Sequence, residues 1–271
     1  MIDLTALERI AAALERIAPP PCAPVDPSAP AYVWGDHGLS SIQRFAPLPI
    51  DQLTGIDAQR DAVLENSRRL AAGHAAHDIL LWGARGSGKS ALVKSCVAAL
   101  QPEGAAIALI EIAPDRIADL PLLFAAIADW PRAAVLFIDD LAFEGQDQST
   151  RLLRSVLEGG ANARPAHVRI YVTSNRRHIV ARDMAEQASA INQRDSVDDS
   201  LALADRFGLS LGFHVCDQEA YLAMIAVYAK THGFPFDAAD ALTWAAQRGA
   251  RSGRVAWHYA VECAGRLGRK I

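Results

Sequence analysis

The stretch "GARGSGKS", residues 83 to 90, decides how the rest of the chain is read. It satisfies the pattern G-x-x-x-x-G-K-[ST], follows the apolar run "DILLWG" at 78 to 83, and opens a helical pattern from Lys89. Glycines let the backbone curl closely around phosphate oxygens, and the helix terminus that follows directs amide N–H groups at the anion. Gly83, Ala84, Arg85, Gly86, Ser87, Gly88, Lys89, Ser90 and Ala91 are therefore the expected phosphate-binding set. Lys89 should reach the outer phosphates of a nucleotide, and the Ser90 hydroxyl should ligate Mg2+. With a strand before it and a helix after it, the motif has the context that separates a phosphate loop from a chance glycine-rich turn.

Outward from the loop, short apolar strands alternate with helices. The strands read "DILLWG" (78 to 83), "AAIALIEI" (105 to 112), "AVLFID" (134 to 139), "HVRIYVTS" (167 to 174) and "LSLGFHV" (209 to 215), with helices near 57 to 72, from Lys89, near 119 to 129 and near 148 to 158. Such alternation predicts an α/β domain, a parallel five-stranded sheet covered by helices on both faces. After Asp217 the pattern is helical only, which predicts a small all-helical C-terminal unit. Before Gly73, "YVWGDHGLSSIQRFAPLPIDQLTGID" reads as irregular structure leading into a helix.

At the N-terminus, "ALERIA" recurs at a spacing of seven, placing Leu7, Ile10, Leu14 and Ile17 on one helical seam, and Thr5 with Glu8 forms a capping-box start. Two heptads fall short of a coiled coil, so a short helix docked on its own domain is the better reading. "PPPCAPVDPSAP" then places six of the fourteen prolines in twelve residues, an extended connector. The expected division is 1–18 N-terminal amphipathic helix, 19–31 connector, 32–216 nucleotide-binding domain and 217–271 helical lid.

Composition excludes several classes. A chain of 271 residues, 51% apolar and 21% charged, can bury a large core and is not disordered. Its longest apolar runs are strand-length, so no membrane span is expected, and with no secretory leader at the N-terminus the expected location is cytoplasmic. Four scattered cysteines, 22, 96, 216 and 263, lack metal or disulfide spacing. The net charge of -4 gives no general attraction to nucleic acid; only the segment from Trp244 onward is basic, with six Lys or Arg against Glu262.

A nucleotide site needs an acid at the end of a neighbouring buried strand to orient the metal. Asp139, ending "AVLFID" about fifty residues after the loop, meets that need, with Asp140 beside it and Glu144 four residues on.

Here the chain resembles a family. "LTGID", the phosphate loop, the strand with "DD", "VTSN", "LADRFGL" and a C-terminal helix arginine stand in the order of the AAA+ ATPases. "LLWGARGSGKSALVKS", "FIDDLAFE", "TSNRRH", "DRFGLSLGF" and "RSGRVAWH" together resemble an uncharacterised bacterial branch of predicted AAA+ ATP-binding proteins, over about residues 32 to 268. The resemblance implies ATP and Mg2+ as cofactors and a homo-oligomer in the active state. It implies Asn175 as the sensor positioning the attacking water, Arg206 as an arginine finger for a neighbouring subunit, and Arg254 as a lid arginine contacting the nucleotide, with Arg251 one turn earlier. It also implies that Gly55 and Ile56 flank adenine. Arg176 and Arg177 carry no assigned role, and Trp34 and Trp82 read as packing residues.

One departure from many AAA+ motors is Asp-Asp where they carry Asp-Glu. Asp140 remains the candidate for polarising water, with slow turnover, and Glu144 reads as a helix-start acid. A remodelling ATPase and a slow nucleotide switch like the helicase loaders both fit. A small-molecule kinase is disfavoured because the sensor, finger and lid arginines recur in AAA+ order. Polypeptide threading is disfavoured too, since "EIAPDRIADLPLLF" lacks an aromatic-hydrophobic-glycine tripeptide. ATP or ADP and an unidentified protein are the expected partners, and nucleic acid has only the basic C-terminal segment in its favour.

Overall fold

The computed structural model describes residue 9 and residues 25–142, 148–159, 164–175 and 203–271. The expected N-terminal helix over 1–18 apart from residue 9, the connector up to residue 24, Glu144, Arg176, Arg177 and most of the acidic run before Arg206 lie outside the described residues.

Seven strands form one sheet: β1 (Ala31–Gly35), β2 (Gly38–Ile42), β3 (Ile79–Gly83), β4 (Ile107–Ile112), β5 (Ala133–Ile138), β6 (Val168–Ser174) and β7 (Leu209–Phe213), in the order β2-β1-β4-β5-β6-β3-β7. The five expected strands are β3 to β7, which pair in parallel and run to the β7 edge of the sheet. The expected count is corrected by two strands from "YVWGDHGLSSI", which reads as irregular in sequence. β1 pairs parallel with β4 and antiparallel with β2. Each of these strands is only five residues long and they are joined through Asp36 and His37, so neither carries a long apolar run. Their alternation is nonetheless real: Tyr32 and Trp34 enter the core, while Val33 is exposed.

The central strands are buried on both faces, as a parallel sheet requires. From β5, Leu136 and Ile138 face one core, where α3 (Leu120–Ile127) and α4 (Gln148–Leu157) supply Leu123, Phe124, Ile127 and Leu153. Val135 and Phe137 face the other, where α1 (Asp57–Ala71) and α2 (Lys89–Leu100) supply Val63, Leu70, Leu92 and Val97.

Three C-terminal helices, α5 (Gln218–His232), α6 (Ala238–Gln247) and α7 (Gly253–Arg266), close on a third core around Tyr221, Ile225, Ala241, Tyr259 and Ala260. Each begins on a side-chain cap: Asp217 accepts from the Ala220 amide, Asp237 from Asp240, and Ser252 from Val255. No helix among the described residues is long and apolar enough to cross a membrane.

Gly83 is where the sheet and the phosphate loop meet. Its φ is +128, and a β-carbon there would stand 2.1 Å from the Phe213 carbonyl oxygen on the neighbouring strand. Gly83→Ala should therefore cost about 3 kcal/mol or more, from a strained backbone plus a clash that only separating β3 from β7 relieves. Chemical denaturation checks this, and a variant within about 1 kcal/mol of the parent would show that the two strands yield easily.

Candidate nucleotide-binding site

The loop after β3 is held from below. Ala84 N–H donates to the Phe213 carbonyl (3.1 Å), and the Ser87 hydroxyl donates to the Ala84 carbonyl (2.8 Å). Gly86 and Gly88 both take positive φ, a conformation that glycine adopts freely, and Gly88 caps α2. Lys89 is only 5% exposed. Its Nζ donates to the carbonyls of Gly83 (3.0 Å) and Ala84 (2.8 Å) and to Asn175 Oδ1 (3.1 Å). Burial lowers the Lys89 pKa from its ordinary value; Asp140 and Asp139 oppose that shift, and Arg85 adds to it. The ammonium is thus a desolvated charge close to two carboxylates, poised to gain from a polyanion.

Two hydroxyls converge on one oxygen of Asp139. Ser90 Oγ donates to Oδ1 at 2.6 Å and Thr173 Oγ1 donates to the same atom at 2.5 Å. This joins the first turn of α2, the end of β5 and β6 at a single carboxylate. A carboxylate and a serine hydroxyl in contact are hard oxygen donors of the kind Mg2+ takes beside substrate phosphates, so the residues present fit that ion.

Asp140 is the one non-glycine residue with positive φ among the described residues, at +55. Such a conformation costs on the order of 1–3 kcal/mol unless its surroundings hold it. Here Asp140 N–H donates to Thr173 Oγ1 (2.8 Å) and Leu141 N–H to the Thr173 carbonyl (2.9 Å), so Thr173 fixes both sides of the turn. The Asp140 carboxylate accepts from Asn175 Nδ2, and Arg85 Nη2 lies 3.8 Å from its other oxygen. Asn175 accordingly bridges Lys89 and Asp140.

These groups line a cleft of about 500 Å³. Beside the phosphate loop its wall is apolar: Leu48, Leu53 and Ile56 precede α1, and Met224 and Tyr228 come from α5. Arg254 reaches it from the first turn of α7. The Gly253 amide donates to the Gly86 carbonyl at 2.9 Å, so the last helix touches the loop directly.

Of the residues expected from sequence, Ile56, Arg85, Gly86, Ser87, Gly88, Lys89, Ser90, Ala91, Asp139, Asp140, Asn175 and Arg254 all border this cleft. Gly83 and Ala84 lie behind it as acceptors for Lys89. Gly55 is solvent-exposed and faces Ala220 instead of the cleft. Arg206 lies elsewhere, its Nε donating to Glu158 Oε1 at 2.5 Å. Trp34 and Trp82 also stand apart from the cleft, donating to Asp119 and Ser210.

Thr173 and the apolar wall other than Ile56 were missed in sequence. Thr173 had a signal, since it stands two residues before Asn175 and so on the same strand face. Leu48, Leu53, Met224 and Tyr228 had none, because folding gathers them from separate segments. The basic C-terminal run also changes meaning. Arg248 stacks on Trp244, Arg266 pairs with Glu262 and Asp240, and Arg269 donates to the carbonyl that ends α5.

A mostly parallel seven-stranded sheet, a glycine-rich loop between β3 and α2, an acid pair just after β5 and a helical cover make up a fold of the AAA+ P-loop NTPase kind. Residues 27–267 match the family described as "Protein of unknown function (DUF815)", and the chain belongs to that family. Its fold is similar to that of the Thermotoga maritima RuvB Holliday junction branch migration motor, with 18% identity and a TM-score of 0.53 over 82% of this chain and 67% of that one. It is likewise similar to the Aeropyrum pernix Orc1 protein, solved in complex with DNA, with 13% identity and a TM-score of 0.55 over 83% of this chain and 66% of that one. At these identities the likeness establishes the fold alone. No curated protein matches the chain in sequence.

Thr173→Val keeps the shape of a side chain that is 1% exposed but removes one donor and one acceptor. It should cost about 1–3 kcal/mol in denaturant melts, because the Asp140 amide loses its acceptor and Asp139 one of its donors. A neutral result would show that the Asp140 turn holds without Thr173.

Proposed function

We propose that this protein binds Mg-ATP in the cleft and hydrolyses it slowly, at a site that a neighbouring subunit completes, and that nucleotide state governs its assembly on a macromolecular partner. The division into a nucleotide-binding domain (32–216) and a lid (217–271) belongs to the same proposal. The observation that carries it is the junction of Ser90, Asp139 and Thr173, adjoining Lys89, Asn175 and Asp140 along one cleft. This is the donor and acceptor set that phosphoryl transfer to water needs.

On this reading the β- and γ-phosphates take up the loop amides, and Lys89 exchanges its two loop carbonyls for phosphate oxygens. Ser90 and Asp139 hold Mg2+, which when bound neutralises charge on the outer phosphates. Asp140 accepts a proton from the attacking water while Asn175 orients it. Arg254, for which no acid partner is found among the described residues, supplies charge from the lid side. The base lies against Leu53, Ile56 and Tyr228. Arg206 must leave Glu158 to serve a neighbour's site, so the finger becomes available on assembly. The DNA named with one structural neighbour supports little here, since three of the six cations of the basic segment are engaged by the lid itself.

A nucleotide switch with little turnover is the second reading, favoured by the short Asp140 side chain held by Asn175. Fluorescent-nucleotide titration and phosphate release across a range of protein concentrations test both. Lys89→Ala should weaken nucleotide binding about a hundredfold, the scale of a lost charge-assisted phosphate contact. Asp140→Asn should bind normally and turn over about a hundredfold more slowly, and parent turnover per chain should rise with concentration.

Arg206→Ala should likewise bind ATP as the parent does and lose about a thousandfold in turnover. Parent-like hydrolysis by Arg206→Ala would remove the finger assignment. Tight binding with no phosphate release at any concentration would select the switch.

A further inference from the structure

The phosphate-loop pattern asks nothing of the side chain at position 85, which falls between its two fixed glycines. This chain places an arginine there, and that arginine borders the cleft. Its side chain is 80% exposed and makes no hydrogen bond to any described residue. Its one partner of opposite charge among the described residues is Asp140, with Nη2 3.8 Å from Oδ2. That separation is beyond hydrogen-bond length and both side chains are mostly in water, so the pair contributes little stability and the guanidinium leaves it at small cost. Other arginines of the sheet domain are tied more closely. Arg164 donates to Asp78 at 2.7 Å, Arg206 donates to Glu158, and Arg169 spends its donors on the carbonyls of Ala76, Ala166 and Val168. Arg85 stands at the cleft with its donors open.

Its place selects the phosphate it can meet. Asp140 Oδ1 accepts from Asn175 Nδ2, Asn175 Oδ1 accepts from Lys89, and Arg85 lies against the other oxygen of Asp140. Lys89, Asn175, Asp140 and Arg85 therefore surround one corner of the cleft. On the proposed function that corner receives the terminal phosphate and the water that attacks it. A guanidinium suits such a place, since it is planar, keeps its charge at every working pH and binds phosphate oxygens bidentately.

We propose that the Arg85 side chain binds the γ-phosphate of the nucleotide held by its own chain, leaving Asp140 as it does so, and thereby makes the cleft distinguish a nucleoside triphosphate from a diphosphate. This rests on the nucleotide reading and adds to it a residue that reads the last phosphate without a second subunit. Arg206 must leave Glu158 and reach a neighbour before it can serve, whereas Arg85 is already at the cleft. With a diphosphate bound, Arg85 keeps its place beside Asp140.

Calorimetric titration of the full chain in Mg2+ with the non-hydrolysable triphosphate β,γ-imido-ATP, and separately with ADP, tests it. Arg85→Ala should weaken triphosphate binding about tenfold to a hundredfold, the scale of a lost charged hydrogen bond, and leave ADP binding within about twofold of the parent. Arg85→Lys should recover part of the loss, because it restores the charge without the planar fork. ADP binding also serves as the folding control for both variants. The loss should be the same at chain concentrations below and above any self-association seen by light scattering. An equal loss for both nucleotides, or none for either, would overturn the inference and leave the nucleotide reading intact. A triphosphate loss confined to associated chains would overturn it as well, by placing the contact across a subunit boundary. A parent protein that binds neither nucleotide would remove the nucleotide reading and this inference with it.

Discussion

One carboxylate oxygen organises this molecule. Asp139 Oδ1 accepts from both Ser90 and Thr173, so the helix after the phosphate loop and two neighbouring strands are pinned to one atom. Two hydroxyl bonds engage that one oxygen in a half-buried position beside the loop. Everything else in the site is positioned relative to that point: Thr173 reaches on to the Asp140 amide, and Asn175, two residues later on the same strand face, joins Asp140 to Lys89.

The second constraint is contact between the phosphate loop and the last helix. A β-carbon on Gly86 would stand 3.0 Å from the Ser252 side chain, and the Gly253 amide donates to the Gly86 carbonyl. Ser252 simultaneously caps α7 through the Val255 amide. Any rearrangement of the loop around phosphate is therefore felt at the first turn of α7, which also carries Arg254. Tyr228 and Met224 give the same helical layer a second hold on the cleft wall. A nucleotide spanning the cleft would contact both layers, and differential contact of that kind is what allows a ligand to shift one layer against the other.

Much of this was legible in the sequence, for physical reasons. The parallel strands are runs buried on both faces, so they read as continuous apolar stretches, and the phosphate loop is a contiguous motif with fixed chemistry. Asp139 was legible because it ends such a run. The strands β1 and β2 were not, because short strands closed by Asp36, His37 and Gly38 resemble a loop until β4 is there to pair with. The apolar wall was hidden for a different reason: Leu48, Leu53 and Tyr228 look like ordinary core residues, and only the gap between the sheet and its helical cover turns them toward the cleft. The basic C-terminal run illustrates the converse, since its charge count was right but Arg248, Arg266 and Arg269 are engaged within the helices.

The Asp-Asp pair acquires a conformational explanation. At φ +55, residue 140 sits in the left-handed region, where a short polar side chain is tolerated and a longer one brings no compensating local bond. The turn that places residue 140 there also sends the chain back through Leu141, whose amide is fixed to the Thr173 carbonyl. The aspartate is thus the residue suited to this backbone, and its reach is limited by one methylene relative to glutamate. Its carboxylate is additionally held by Asn175, a group that also contacts Lys89. On the proposed function, Asp140 could accept a proton only once Asn175 lets go, and Lys89 turning to phosphate would favour that release. Activation of water and recognition of phosphate would then be one rearrangement of three side chains, the contacts that join them being Lys89 to Asn175 and Asn175 to Asp140.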